Sequence, residues 1–510
     1  MVPALILLAG MGLRWTALDR NSFWYDEGFT WWVARQPLAR IIQIIRADTW
    51  PPLYYLTMHY WIGAFGQSEW AMRAQAALAS TLTLGLGSML IWRVLPGRGA
   101  RLLAMSLLAV SVVQLEFARD VRCYATAGLL VLACLWMITR RAEGGSAWWL
   151  LGYVLAGAAL VYQHNIMWFF LACLHVSWLV WPGERRMKGR IADMVLGDVG
   201  IALLFAVWVP SLLGQFHSLG KAFWTQRPTF FELTETTSWL AGANSETLGQ
   251  TADDLGLIHD PMHRLLRLSL FALTIALAGV ALVGTRGKLR RRTWALAAVA
   301  AGPVMLGFVY SQFRQSIFIE RAFSPSAVVM PVILVAAVTA GHWLVRPCIR
   351  IGLICLTLAA IASSVILLVN PPTEPWREAM TWLQEQQRPG DIALFHAAEG
   401  ELMYDYFASR RGWDHMTTGG IPRDFRSNDP PRVQLPVRVD ADLDALRQRL
   451  TSPDIDRVWV VEAHVGWIDP DGLARRYFAQ NYHEAEQRTW PRITLTRYDK
   501  RATASTARAE

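Results

Sequence analysis

Ser22–Trp32 reads SFWYDEGFTWW, two adjacent carboxylates, Asp26 and Glu27, set among Phe23, Trp24, Tyr25, Phe29, Trp31 and Trp32. It follows directly on the first apolar run, VPALILLAGMGLRW, so the acids are expected at a membrane surface. Charge is costly at that depth and is retained there for a function. Working outward, the question is whether the rest of the chain supplies a membrane around this stretch and chemical partners for it.

The 510 residues are 53% hydrophobic and only 17% charged, with a mean hydropathy of +0.25. Globular domains carry about 25% charged residues, so the chain reads as a polytopic membrane protein. Its 25 Trp and 13 Tyr suit interfacial aromatic belts. A net charge of +9 does not indicate nucleic acid, because the basic residues sit in short loops and not on one clustered face. Cys123, Cys134, Cys173, Cys348 and Cys355 all lie in or beside apolar runs, with no CxxC, and are expected to be inert core thiols. No basic leader precedes the first run. That run is short for a crossing, which leaves room for a start upstream of Met1.

Hydropathy gives about eleven spans, near 2–18, 74–92, 102–118, 124–139, 147–163, 166–182, 194–213, 265–285, 294–310, 325–345 and 351–369. RVLPGRGAR, TRRAEG, GERRMKGR, TRGKLRRR and RPCIR fall at every second connection. Taken as cytoplasmic, they put the N-terminus inside and the C-terminus outside. The other face then receives Asp26 and Glu27, EFARDVR, YQHN, the stretch 214–264, SQFRQSIFIER and everything after Val369. In the first outer loop, 19–73, Leu38, Ile41, Ile42 and Ile45 mark an amphipathic interfacial helix. Pro51 and Pro52 then re-aim the chain into the membrane. Segment 214–264 is expected to fold over the outer face as a lid or as interfacial helices.

From about Glu374 the composition becomes that of a soluble domain. Helical patterns alternate with the strands DIALFHA, RVWVVEA and RITLTRY, predicting a small α/β domain over 371–500 with a mainly parallel sheet. Neither GxGxxG nor GxxxxGK[ST] occurs in it. Residues 501–510 read as a disordered tail, and 1–370 as the membrane domain.

Adjacent residues diverge in helix or strand, so Asp26 and Glu27 do not face one another as a glycosidase pair would. One carboxylate as base, the other orienting it or binding a hydroxyl or metal, fits the spacing. The competing reading is a helix cap. Arg119, Asp120, Arg122 and Tyr124 open the fourth span. Arginines on an outer loop run against the positive-inside bias, and either clamp a phosphate or pair with Asp120. His164 in YQHN is either a hydrogen-bonded core histidine or a substrate contact. No HxxxH or HExxH accompanies it, which argues against a dedicated zinc site. Glu320 and Arg321 either pair together or lend the arginine to a phosphate site. His217, Lys221 and Arg227 are weaker candidates that fit lipid headgroups.

These motifs together resemble the GT-C superfamily of polyprenyl-phosphate-sugar-dependent glycosyltransferases. The nearest branch holds protein O-mannosyltransferases, the lipid A aminoarabinose transferase and RgtA/B/C/D-like enzymes. The matching residues are Asp26-Glu27 in WYDEGFT, Pro51-Pro52-Leu53-Tyr54-Tyr55, Arg122 and Tyr124 in DVRCYA, His164 in YQHN, and Arg321 before SPSAVVMPVIL. The resemblance covers residues 1–370 well and the soluble part loosely. Two departures stand out. Relatives often carry His or Lys before the two prolines, where this chain has Trp50, so Asp48 or a tryptophan stacked on sugar is the expected substitute. Relatives usually have glutamate where Asp120 stands.

The resemblance implies a mainly α, GT-C-like membrane fold of about eleven helices with a C-terminal extracytoplasmic α/β domain. It implies a multi-pass enzyme of the plasma (inner) membrane that moves a sugar from a polyprenyl-phosphate donor, with inversion, to a hydroxyl on a glycan, glycolipid or protein. Asp26 would be the base, Glu27 its support, and Arg122 and Arg321 the neutralisers of the leaving phosphate. Asp48, Tyr54, Tyr55, Asp120, Tyr124 and His164 would line the substrate site. Some members of the superfamily use a divalent metal and others none, and the residues leave that open. Membrane lipids are implied partners and nucleic acid is not. A transporter or flippase of a lipid-linked precursor would instead show ionisable residues in mid-span and an inverted repeat, and the sequence shows neither. A sensory protein with a membrane anchor would need neither eleven spans nor WYDEGFT.

Overall fold

The computed structural model describes residues 1–219, 225–254, 260–340, 345–370, 374–414, 416–421, 424–425, 443–450, 455 and 457–501. Lys221, the His217 side chain, the start of the helix expected at 441 and the tail beyond Arg501 lie outside the described residues. By its contacts the chain divides into two compact units. One comprises Met1–Leu18, Trp50–Trp61 and Trp70–Pro371, the other Asp19–Thr49, Ile62–Glu69 and Pro372–Glu510.

The first unit is helical. Each expected span falls on a helix or a broken pair, but not all are full crossings. Among the described residues, Glu69–Val94, Tyr124–Ala142, Met187–Gln215, Met262–Gly284, Gly287–Phe313 and Arg346–Val369 are long and apolar enough to cross a membrane. Glu320–Val328 with Met330–Ala340 forms a pair bent by 48°, where Pro325 and Pro331 deny the backbone two donors. Val2–Trp15, Trp148–Val161 and Met167–Val180 are apolar but shorter, and the expected 102–118 span breaks between Arg98–Ala109 and Val112–Phe117. The full crossings leave Leu196, Leu203, Val207, Val283, Ile351 and Leu358 exposed, as a lipid-facing surface requires. This is a multi-pass membrane fold. Cys348 and Cys355 are exposed on one such helix while Cys123, Cys134 and Cys173 are buried. The expectation of five core thiols is thus corrected, because a lipid-facing helix buries only one side.

Without hydrophobic drive between spans, close backbone approach and polar ties must hold helices together. A Cβ on Gly10 would stand 2.7 Å from Leu84 Cδ2 and 2.9 Å from Ala109 Cβ, so α1 (Val2–Trp15) meets its neighbours backbone to side chain. Arg14, fully buried, ties the same three helices. It donates to Ser80 Oγ (2.9 Å) and to the carbonyls of Gly10 (2.7 Å), Ala109 (3.0 Å) and Leu108 (3.1 Å).

The second unit contains α2 (Tyr25–Ala34), α3 (Leu38–Ala47) and a five-stranded sheet. Its strands are β1 (Ile392–His396), β2 (Thr417–Gly420), β3 (Arg457–Ala463), β4 (Tyr482–Trp490) and β5 (Ile493–Lys500), in the order β2-β1-β3-β5-β4. β1 runs parallel to β2 and β3, whereas β5 is antiparallel to both β3 and β4. The sheet is therefore mixed, not mainly parallel. β4 escaped the sequence reading because HEAEQRT is an exposed, polar edge with no apolar alternation. Central β1 and β3 are buried on both faces. Ile392, Leu394, Val458 and Val460 meet Leu446, Phe478 and Tyr498 on one side. Trp459 meets Trp382 and Phe395 meets Tyr404 on the other.

Candidate active site

In the second unit, α2 begins where Trp24 turns extended and Glu27 reaches back to accept from the Trp24 N–H at 3.2 Å. That bond, with the Glu27 N–H donating to the Trp24 carbonyl at 2.9 Å, fixes the start of the helix and occupies Glu27, which is wholly buried. Asp26, one residue earlier, is half-buried in the first turn, where helix N–H groups favour a negative charge. α2 is seated on the helix Glu401–Arg411. Phe23 and Trp31 ring-pack on Tyr406 at 4.7 and 5.2 Å, and Gly28 lies so close to Met403 that a Cβ would collide with its sulfur.

Ahead of Asp26, the Tyr25 hydroxyl donates to Glu399, and the Tyr25 N–H donates to Glu374 at 3.4 Å. Burial, reinforced by Glu399, keeps the Tyr25 phenol protonated far above its ordinary range. Glu374 also accepts from Trp376 Nε1 (2.9 Å) and pairs with His464 Nε2 (2.9 Å). Asp48 caps the far end of α3, its N–H bonded to the Ile44 carbonyl and its carboxylate accepting from Thr49 at 3.5 Å.

The first unit holds a basic and aromatic cluster. After Pro51 and Pro52, the Leu53 N–H donates to the Tyr162 carbonyl (3.2 Å), which ties the start of α4 (Leu53–Phe65) to the loop carrying His164. Tyr54 and Tyr55 are buried in that first turn with rings 6.2 Å apart. Trp50 is the centre of the cluster. The Arg122 guanidinium carbon stands 4.3 Å over its ring, the His164 ring meets it edge-on at 4.3 Å, and Tyr124 lies 6.4 Å away. Gln215 donates to the Trp50 carbonyl at 3.1 Å.

His164 Nδ1 accepts from the Ile166 N–H (3.0 Å), so the neutral ring carries its proton on Nε2, which is buried and makes no hydrogen bond among the described residues. Burial, with Arg122 and Arg321 adding repulsion, pushes its pKa down to about 3. The ring is therefore a neutral donor in the field of two cations. Asp120 is buried in the turn before Arg122. Arg119 is spent elsewhere, on the carbonyls of Leu115 (2.8 Å), Thr16 (3.2 Å) and Leu13.

Of the residues picked from the sequence, Asp26, Glu27 and Asp48 fall in the second unit. Tyr54, Tyr55, Asp120, Arg122, Tyr124, His164 and Arg321 fall in the first. The Arg122 guanidinium covers one face of the Trp50 ring. Gln215, Glu374, Glu399 and His464 carried no motif, and only their contacts single them out. Among the described residues no group of three or more His, Cys, Asp or Glu is arranged to hold a metal ion.

Residues 49–212 match the model of a family described as dolichyl-phosphate-mannose-protein mannosyltransferase. ArnT from Cupriavidus metallidurans in the apo state is 13% identical with a TM-score of 0.61, covering 97% of each chain. The same protein bound to undecaprenyl phosphate gives 12% and 0.57 over the same shares. The Archaeoglobus fulgidus oligosaccharyltransferase in the apo form gives 12% and 0.53, covering 95% of this chain and 72% of that one. No curated protein matches the chain in sequence. At such identities the structural likeness establishes the fold. The expected resemblance to GT-C glycosyltransferases and the mainly helical membrane fold with a C-terminal sheet domain are both borne out.

Proposed function

We propose that this GT-C-fold membrane protein is a glycosyltransferase that moves a sugar from a polyprenyl-phosphate donor to an acceptor hydroxyl on the extracytoplasmic face, with inversion. The observation that carries the reading is the Trp50–Arg122–His164 cluster, in which Arg122 and His164 are buried and which lies inside the segment matching the mannosyltransferase family. A cation fixed on a ring beside a neutral Nε2–H suits a phosphate monoester, which needs charge neutralised and hydrogen bonds supplied at fixed positions. Arg321, whose charge His164 feels, adds to the same field. Support also comes from the neighbour solved with undecaprenyl phosphate.

In the reaction, Asp26 takes the proton of the acceptor hydroxyl while its oxygen bonds to the anomeric carbon. The bond from that carbon to the phosphate oxygen breaks, and its electrons leave with the polyprenyl phosphate. A phosphate leaving group needs no acid, so one carboxylate suffices. Glu27 serves by capping the helix that carries Asp26. Asp48, Tyr54, Tyr55, Asp120 and Tyr124 line the substrate side. The membrane is the plasma (inner) membrane in this reading, and the basic residues at alternate connections support a cytoplasmic N-terminus with 371–500 outside. A glycan, glycolipid or protein hydroxyl is the acceptor.

The test is transfer from a panel of radiolabelled polyprenyl-phosphate sugars in membranes, wild type against Asp26→Asn. A loss on the order of 10²-fold or more is expected for a missing general base. Full transfer by the variant, or none by the wild type from any donor, would refute it.

A further inference from the structure

Glu374 is buried where the chain enters its C-terminal domain, and it gathers the turn that precedes Asp26. Its carbonyl accepts from Ser22 Oγ at 2.7 Å. Its carboxylate accepts from the Tyr25 N–H at 3.4 Å and from Trp376 Nε1 at 2.9 Å, and its other oxygen pairs with His464 Nε2 at 2.9 Å. His464 follows the end of β3 in a left-handed conformation (φ 56°), and its ring meets Tyr25 edge-on at 5.2 Å.

We propose that His464, anchored by Glu374, is a positioning residue for the transfer reaction: it fixes the first turn of α2 and supplies the positive charge that faces Asp26. The inference rests on the reading of Asp26 as base and gives the C-terminal domain a part in catalysis.

The charges around His464 agree. Its hydrogen bond to Glu374, then the charges of Glu374 and Asp26, raise its pKa against the opposing pull of burial and Arg492. Burial works to raise Glu374, but the bond and charge of His464, with Trp376 and the Tyr25 N–H, hold it below its usual range. The neighbouring Tyr25 stays neutral. His464 and Asp26 thus each favour the charged form of the other.

His464→Gln keeps a donor for Glu374 and removes the charge. Taking a cation away from a carboxylate raises the carboxylate's pKa, so the acid limb of the kcat–pH profile moves upward by about half a unit or more. At neutral pH kcat falls on the order of tenfold, as for other residues that orient a reacting group. His464→Lys restores the charge and moves the limb back. Binding of polyprenyl phosphate and the thermal midpoint stay near wild type in both.

An unmoved acid limb in His464→Gln overturns the inference, as does a limb that moves equally in His464→Lys. A loss of kcat that only tracks a lower thermal midpoint overturns it too. Retained activity in Asp26→Asn instead sinks the assignment of the base, so the two failures are distinguishable.

Discussion

Replacing Trp50 tests the proposed donor site most directly. Arg122 is only 4% exposed and its guanidinium sits 4.3 Å over the Trp50 ring. A desolvated contact of this kind contributes about 2 kcal/mol. Trp50→Leu keeps much of the apolar volume and removes the π face. It leaves the Gln215 bond untouched, since that bond ends on the backbone carbonyl. If the ring holds Arg122 ready for the donor phosphate, losing about 2 kcal/mol weakens donor binding roughly 30-fold. The effect appears in KM for the lipid donor and in the Kd of polyprenyl phosphate, with kcat changed far less, because the phosphate is gripped in the ground state as well as the transition state. Trp50→Phe keeps a smaller π face and recovers most of the loss. Measured in detergent with a fixed acceptor, an unchanged KM in Trp50→Leu would refute the reasoning. So would Trp50→Phe behaving no better than leucine.

Two further outcomes follow from the packing and the protonation state. Gly28→Ala should lower kcat and cost about 1–3 kcal/mol of stability by overpacking α2 against Met403. Met403→Ala should partly restore both in the double variant, and a double variant no better than Gly28→Ala would exclude this packing. Since His164 has a pKa of about 3 when folded and about 6.5 when unfolded, the unfolded chain binds more protons between those values. Stability must therefore fall as pH drops from about 6.5 toward 3, and His164→Gln should flatten that fall in thermal melts across pH 6 to 4. Parallel melting curves for the two proteins would contradict the neutral assignment.

What the sequence determined is what depends on local pattern. Apolar runs with basic loops at alternate connections fix a multi-pass helical chain, because hydrocarbon tolerates little else. WYDEGFT, PPLYY, DVRCY and YQHN each stand out as polar or charged motifs at the ends of apolar runs. Tertiary structure decided which side chains meet within each unit. Arg119 and Arg122, three residues apart and indistinguishable by type, separate into a helix tie and a member of the Trp50 cluster. Glu27 becomes a cap, which only the Trp24 N–H shows. Glu374 and His464 reach Tyr25 from about 350 and 440 positions away in sequence, and no periodicity records such a pairing. The second unit takes residues 19–49 from between two stretches of the first, again a matter of contacts and not of composition. Local pattern is set by solvent and backbone hydrogen bonding, which act residue by residue. Partnership is set by packing between distant segments, which a linear pattern does not encode.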